Sequence, residues 1–318
     1  MDPITHGLLG AAVAQVLAQK KIGKAAAWIG AAAAMSPDLD IFIRSADHPL
    51  LSIIYHRHFT HALIFAPVIG LIATLLFVAL FKQLRPKWPY VFLAATFATL
   101  THGLLDSATS YGTLLLWPWS DQRVAWDLIS IVDPIFTGAL MIGVIIAYVW
   151  QKRTPVIIAL LFCSSYLGFA YSQHSRALSV QHELAQSRHQ TDIQKNRAMP
   201  KFGHLWGYTS VYIYDNRIYL DDIRTPLFKA AYAAANNAIP LFNAKDLPPM
   251  IKNNAVLFED FEVFDWFSDG YVTAISQQPL VLADMRYVQN INPLVPRWGI
   301  KFPEQAEDQH VAWVSRFD

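Results

Sequence analysis

Three stretches of this chain, Ala62–Phe81, Val91–Leu105 with its flanks, and Pro134–Trp150, are almost free of charge and long enough to be spanning helices. Crossing a bilayer takes roughly 20 apolar residues in a helix, and few soluble folds use several such runs in series. A fourth run, Pro155–Tyr171, is slightly short but nearly uncharged. Ile4–Ala18 and Ala25–Ile43 are alanine-rich and marginal alone. Their small side chains suit a close helical hairpin packed on the others. The expected fold is therefore a mainly α membrane domain of about six helices over residues 1–173.

Charge supports this reading and orients it. Charged residues make up 15% of the chain, and no glutamate precedes Glu183; globular chains carry about a quarter. Lys20, Lys21, Lys24, Lys82, Arg85, Lys87, Lys152 and Arg153 fall in the loops on one side of the expected bundle, with no acid among them. The other side holds Arg44, Arg57, Arg123 and the aspartates. The positive-inside rule puts the lysine-rich side in the cytoplasm. The amino terminus, the aspartate-rich loops and everything after helix six then face outward. A start at Met1-Asp2-Pro3, without basic residues, predicts insertion by uncleaved helices. A net charge of +1 leaves no footprint for nucleic acid. The lone Cys163 lies in an apolar run and is expected to be a packing residue.

Beyond Tyr171 the chain turns polar. Ser172–Arg197 is expected to continue as a helix leaving the membrane, and strand signals dominate from His204 onward. Ser210–Tyr214 and Arg217–Leu220 flank Asp215-Asn216, a good hairpin turn. Ala255–Phe267, Tyr271–Ile275, Leu280–Ala283 and His310–Arg316 read as further strands, and Phe228–Asn237 as a short helix. Residues 174–318 thus form a small soluble α+β domain, without an obvious catalytic cluster.

The chemistry lies in the first half. His6 opens helix one, Asp38 and Asp40 end helix two, His58 and His61 precede helix three, and His102 and Asp106 finish helix four. Helices of alternating direction bring all of these to one face. His102 and Asp106 are four apart, so both project from the same side of a helix. Imidazoles mixed with carboxylates suit Zn, Mn or Fe better than Ca. Ionisable groups at membrane depth are costly, and several at one level point to function. The metal ligands expected are His6, Asp38, Asp40, His58, His61, His102 and Asp106. Asp106 could also be a general base. Arg57 could clamp a phosphate or carboxylate bidentately, or simply snorkel at the interface. Three of the histidines follow a threonine, Thr5-His6, Thr60-His61 and Thr101-His102, whose hydroxyl could orient the ring. Thr109–Thr113 offers hydroxyls and a glycine turn for a substrate pocket. His48 and His56 read as loop residues, and Asp127 and Asp133 as structural, with Asp133 a natural cap before Pro134.

These pieces, Asp2-Pro3-x-Thr5-His6, Pro37-Asp38-Leu39-Asp40, His56-Arg57-x-x-Thr60-His61, Thr101-His102-x-x-x-Asp106, Thr109-x-Tyr111-Gly112-Thr113 and Trp126-Asp127 through Asp133-Pro134, resemble the bacterial membrane-bound metal-dependent hydrolases, the YdjM-like inner-membrane proteins. The resemblance covers about residues 1–170 and implies an inner-membrane hydrolase. The order of the ligands is also similar to that of zinc-dependent phospholipase C. Carried over, that similarity implies a zinc site at His6, Asp38 or Asp40, His61, His102 and Asp106, with Asp106 shared between two ions. The absence of a downstream His-x-x-x-Glu argues for one or two ions rather than three.

Two functions follow as expectations. One is hydrolysis of a phosphate ester or lipid-linked substrate at the outer, periplasmic face, with Asp106, Asp40 and Arg57 as the catalytic groups and membrane lipid as the surroundings. The other is a non-catalytic, metal-stabilised scaffold or sensor whose outer domain binds a partner. Ion transport fits less well, because the polar groups gather at one end of the helices.

Overall fold

The computed structural model describes residues 1–203, 205–305, 309–315 and 317. Helix α1 (Pro3–Ile22) begins where Asp2 accepts the Thr5 amide at 3.0 Å, with Pro3 in the first turn, where its missing N–H is harmless. Gly23, at φ 62°, ends it in a conformation open to glycine. Helix α2 (Ala25–Met35) folds back against α1. A Cβ on Gly10 would lie 2.4 Å from the Gly30 carbonyl oxygen, and one on Gly30 would lie 2.2 Å from that of Gly10. The small-residue hairpin is thus present, with backbones in direct contact.

The second helix does not reach Ile43 as expected. At Ser36 it tightens into a 3₁₀ stretch, Ser36–Phe42, because Pro37 has no N–H to continue the ladder. The Ser36 hydroxyl instead donates to the Ala33 carbonyl at 2.8 Å. A short α3 (Leu51–Tyr55) follows, then 3₁₀ turns at Phe59–His61 and Leu63–Phe65. Helix α4 (Ala66–Leu80) therefore starts later than the apolar run does. Helices α5 (Trp88–Ser107), α6 (Pro134–Trp150) and α7 (Thr154–Ser187) complete the helical half. Asp133 caps α6, accepting from Ile135 and Phe136, and also receives the Tyr166 hydroxyl.

Among the described residues, two segments are long and apolar enough to span a bilayer, Leu63–Leu80 and Thr154–Ser187. Helix α6 is apolar but has 17 residues. Leu71, Ile72, Leu75 and Leu76 of α4, Ile142 and Ile145 of α6, and Ile158 and Leu161 of α7 are all exposed. Apolar side chains in such number on an uncovered face mark contact with something other than water.

The chain divides into two compact units. The first contains Met1–Ile41, His56–His174 and Pro200–Leu205. The second contains Phe42–Tyr55, Ser175–Met199 and the chain from Trp206 onward. In the second, β1 (Lys195–Pro200), β2 (Gly207–Tyr214), β3 (Arg217–Arg224) and β4 (Tyr232–Pro240) form one sheet in chain order. Strands β5 (Val272–Gln277), β6 (Leu280–Asp284), β9 (Gly299–Lys301) and β10 (Ala312–Val314) form another, ordered 10-9-6-5. A ribbon pairs β7 (Val288–Asn290) with β8 (Val295–Pro296). The hairpin about Asp215-Asn216 is as expected, with both turn residues at positive φ.

Three expectations for this half fail. Phe228–Asn237 does not form a helix: its second half belongs to β4, paired antiparallel along β3, so sheet pairing overrides alanine's helix preference. Ala255–Phe267 is not a strand but helix α9, which follows the short α8 (Pro249–Lys252). Asn254 caps α9, and Leu257, Phe261, Phe264 and Phe267 bury one face at helical spacing, which decides the matter against their aromatic β-preference. The helix leaving the apolar region ends at Ser187 rather than Arg197; His189 adopts a left-handed φ of 61° and the Gln190 amide closes onto the Ala185 carbonyl. His204 and Arg316, which bound two of the expected strand regions, lie outside the described residues.

Candidate metal centre

Four donor groups converge in the first unit. Asp38 comes from the 3₁₀ stretch after α2, His61 from the turn before α4, and His102 and Asp106 from successive turns of α5. Glycine permits the approach: Gly103 brings α5 so close to the His61 turn that a Cβ there would lie 2.2 Å from the His61 carbonyl oxygen.

The ring tautomers follow from their partners. His102 Nδ1 lies 2.6 Å from the Ala34 carbonyl oxygen, which can only accept, so its proton is on Nδ1 and Nε2 carries a lone pair. His61 Nδ1 faces Asp40 Oδ2 at 3.2 Å and Thr60 Oγ1 at 3.0 Å, while the Thr60 proton goes to Asp40 at 2.7 Å. His61 Nδ1 is thus also a donor. The two Nε2 atoms are 2.8 Å apart, close enough to share one proton. Around them lie Asp38 Oδ1, 3.5 and 3.4 Å from the His61 and His102 nitrogens, and Asp106 Oδ2, 3.2 and 3.4 Å away.

A shared proton can serve two of these atoms; a divalent cation serves all four. Tetrahedral ligation at about 2.0–2.1 Å puts neighbouring donors roughly 3.3–3.4 Å apart, close to four of these five separations. The short nitrogen pair would be drawn outward by an ion. Asp106 Oδ2 is buried and accepts no hydrogen bond among the described residues. Asp106 Oδ1 is occupied by His6 Nε2 at 3.1 Å, Arg57 Nη2 at 3.2 Å and the Met1 amino group. One oxygen is therefore tethered and the other presented. Of the four side chains, Asp38 is 22% exposed and the other three 0%, so solvent reaches the centre past Asp38.

The remaining expected ligands stand around this set. His6 stacks on His102 with centroids 3.7 Å apart and touches Asp106 Oδ1, behind the converging atoms rather than among them. Asp40 is engaged on both oxygens, by His56 Nδ1 at 2.8 Å, by the Arg57 amide at 3.0 Å, by Thr60 and by His61. It forms with Asp38 and His56 a second cluster that could take an ion, with Asp38 common to both. His58 lies apart, its ring 5.3 Å from that of Trp117, and burial lowers its pKa. Arg57 is buried, adopts φ 62°, and directs Nη1 to Thr109 Oγ1 at 3.2 Å with its guanidinium 4.7 Å from the Tyr111 ring. Of the three Thr-His pairs, the Thr60 hydroxyl meets its imidazole, whereas Thr5 bonds Asp2 and Thr101 bonds the Ala98 carbonyl. Two contributors carry little sequence signal: His56, half-hidden in the string His56-Arg57-His58, and the Ala34 carbonyl, which any residue could provide.

The YdjM inner membrane protein model matches residues 1–177, a segment that contains every residue of this centre. The chain belongs to the YdjM inner membrane protein family. It is also similar to the inner membrane protein YbcI of Escherichia coli (strain K12), with 32% identity over 133 residues, 40% of this chain and 75% of that one. No solved structure gives a significant match. The family matches the first half of the chain, and the β-rich second unit lies almost entirely beyond it.

Proposed function

We propose that this YdjM-family chain is a multi-pass inner-membrane, metal-dependent hydrolase acting on a phosphate ester or lipid-linked substrate at the periplasmic face. The observation that carries the reading is the convergence of donor atoms from Asp38, His61, His102 and Asp106 within reach of a single ion. Zn²⁺ fits the donor types and spacings best; Mn²⁺ and Fe²⁺ are the alternatives. Such an ion lowers the pKa of a coordinated water toward about 7 and polarises an ester oxygen.

The chain's own groups have defined tasks in this reading. Asp40 and Thr60 hold His61 in the Nδ1-protonated tautomer, and the Ala34 carbonyl does the same for His102. Arg57 fixes Asp106 through Oδ1 and sets positive charge beside the centre, where an anionic phosphate would be attracted. Asp38, the exposed donor, is the one that a substrate would displace. Asp38, Asp40 and His56 are the residues that would hold a second ion if one bound beside the first. Six helices with the lysine-rich loops inside would set this centre at the outer interface, within reach of lipid headgroups, with the carboxy-terminal unit on the same side.

Turnover of a panel of phospholipids and phosphodiesters by purified protein, with Zn²⁺ or Mn²⁺ added, tests the reading. Activity lost in His102→Ala and His61→Ala supports it; a metal-loaded protein inert across the panel refutes it. A structural ion is the second reading, favoured by the count of four protein donors, since structural sites are closed. In that case His102→Ala lowers thermal stability and no substrate turns over.

A further inference from the structure

A second constellation, unconnected with the centre above, lies in the β-rich unit. His48, from the segment before α3, stacks on His310, from the segment before β10, with ring centroids 4.0 Å apart and planes 20° from parallel. Asp260, on α9, is buried at 1% exposure. Its Oδ1 is 2.8 Å from His310 Nδ1, and its Oδ2 accepts the Val311 amide at 2.8 Å. One ligating atom from each of the three residues lies within 4.8 Å of the other two.

Packing alone leaves this arrangement unaccounted for. His48 Nδ1 is buried and has no hydrogen-bond partner among the described residues. A buried imidazole nitrogen without a partner forfeits its solvation, which a bland core position would avoid. The Asp260 carboxylate, 2.8 Å from His310 Nδ1, brings its oxygen and the two rings within reach of one ion. Two imidazoles and one carboxylate are a donor set for a borderline divalent ion such as Zn²⁺, and three protein groups leave one tetrahedral position for water.

We propose that His48, Asp260 and His310 form a second, separate divalent-metal site, of the Zn²⁺ class, that pins the Phe42–Tyr55 segment to α9 and the chain leading into β10. The three residues come from positions 48, 260 and 310, so the ion closes two long loops at one point. Its consequence is structural. The segment it holds sits in sequence between Asp40 and His56, both members of the first centre's surroundings, yet packs with the second unit.

The test uses the full-length protein in detergent and Zn²⁺ alone as the probe. Tightly bound zinc per chain is measured for wild type, His48→Gln and His310→Gln, with near-ultraviolet circular dichroism and gel filtration confirming the fold. Each variant is expected to lose one equivalent, or to bind it at least tenfold more weakly, while His102→Ala leaves that equivalent in place. Unchanged zinc content in folded His48→Gln and His310→Gln overturns the site. Should either variant misfold, wild type decides: Zn²⁺ should protect His48 and His310 from diethylpyrocarbonate labelling as read by mass spectrometry. Equal labelling with and without Zn²⁺ overturns the proposal. Neither readout depends on hydrolase activity, so failure here leaves the first reading untouched.

Discussion

The substitution Gly103→Ala isolates the geometry of the candidate metal centre without touching a proposed ligand. An added Cβ would lie 2.2 Å from the His61 carbonyl oxygen and 3.2 Å from Leu115 Cδ1, whereas real Cβ contacts are essentially never below 3.0 Å. Helix α5 and the His61 turn must therefore part by about 0.8 Å. Donor positions in metal sites hold to about 0.2 Å, and the displaced group is His61, which makes three of the five separations given above. Zinc affinity should fall by about 10- to 100-fold, the range seen when an orienting group is removed, or roughly 1.4–2.8 kcal/mol. Overpacking adds about 1–3 kcal/mol of lost stability. Competition with a chromophoric chelator measures the first quantity and a detergent-phase thermal melt the second. Gly138→Ala on α6 is the control, because a Cβ there meets nothing within 4 Å. Wild-type zinc affinity in Gly103→Ala would refute the claim that α5 and the His61 turn jointly form the centre.

Three further outcomes follow from the structure. Asp106→Ala leaves the buried Arg57 guanidinium without its carboxylate and should cost about 3–5 kcal/mol by thermal or denaturant unfolding. Chelation of the wild-type protein should lower its melting temperature and re-addition of Zn²⁺ should restore it; a melt indifferent to both excludes a tight ion. In the β-rich unit Arg188 grips the buried Asp221 bidentately, at 3.0 and 2.7 Å, and burial still raises the Asp221 carboxyl pKa. A carboxyl raised on folding favours the folded state below its unfolded value, near 3.9, and loses that contribution as pH climbs through its folded value. Arg188→Met raises it further, so the melting deficit against wild type should be largest at neutral pH and shrink toward pH 4. A deficit independent of pH would mean that Arg188 acts through packing.

The signals that mark the candidate centre in the sequence are local. His102 and Asp106 share a helix face by spacing alone, Asp133-Pro134 announces a cap, and the alanine-rich small side chains of the first two helices announce a close crossing. The hairpin at Asp215-Asn216 was equally readable, since a two-residue turn depends on its own residues. Which candidates converge was a tertiary decision. His6, His58 and Asp40 match the same residue types as Asp38 and His61, and the 3₁₀ break at Pro37 together with the Gly103 contact determines that Asp38 faces the imidazoles while Asp40 stands behind one of them. The second unit was harder for the same reason. Phe228–Asn237 and Ala255–Phe267 carry local preferences opposite to their structures, and strand pairing along β3 and the burial of one aromatic face on α9 override them. His48, Asp260 and His310 lie so far apart in the chain that no spacing links them. Short-range geometry is written in neighbouring residues, whereas a site assembled from distant segments exists only once packing has brought them together.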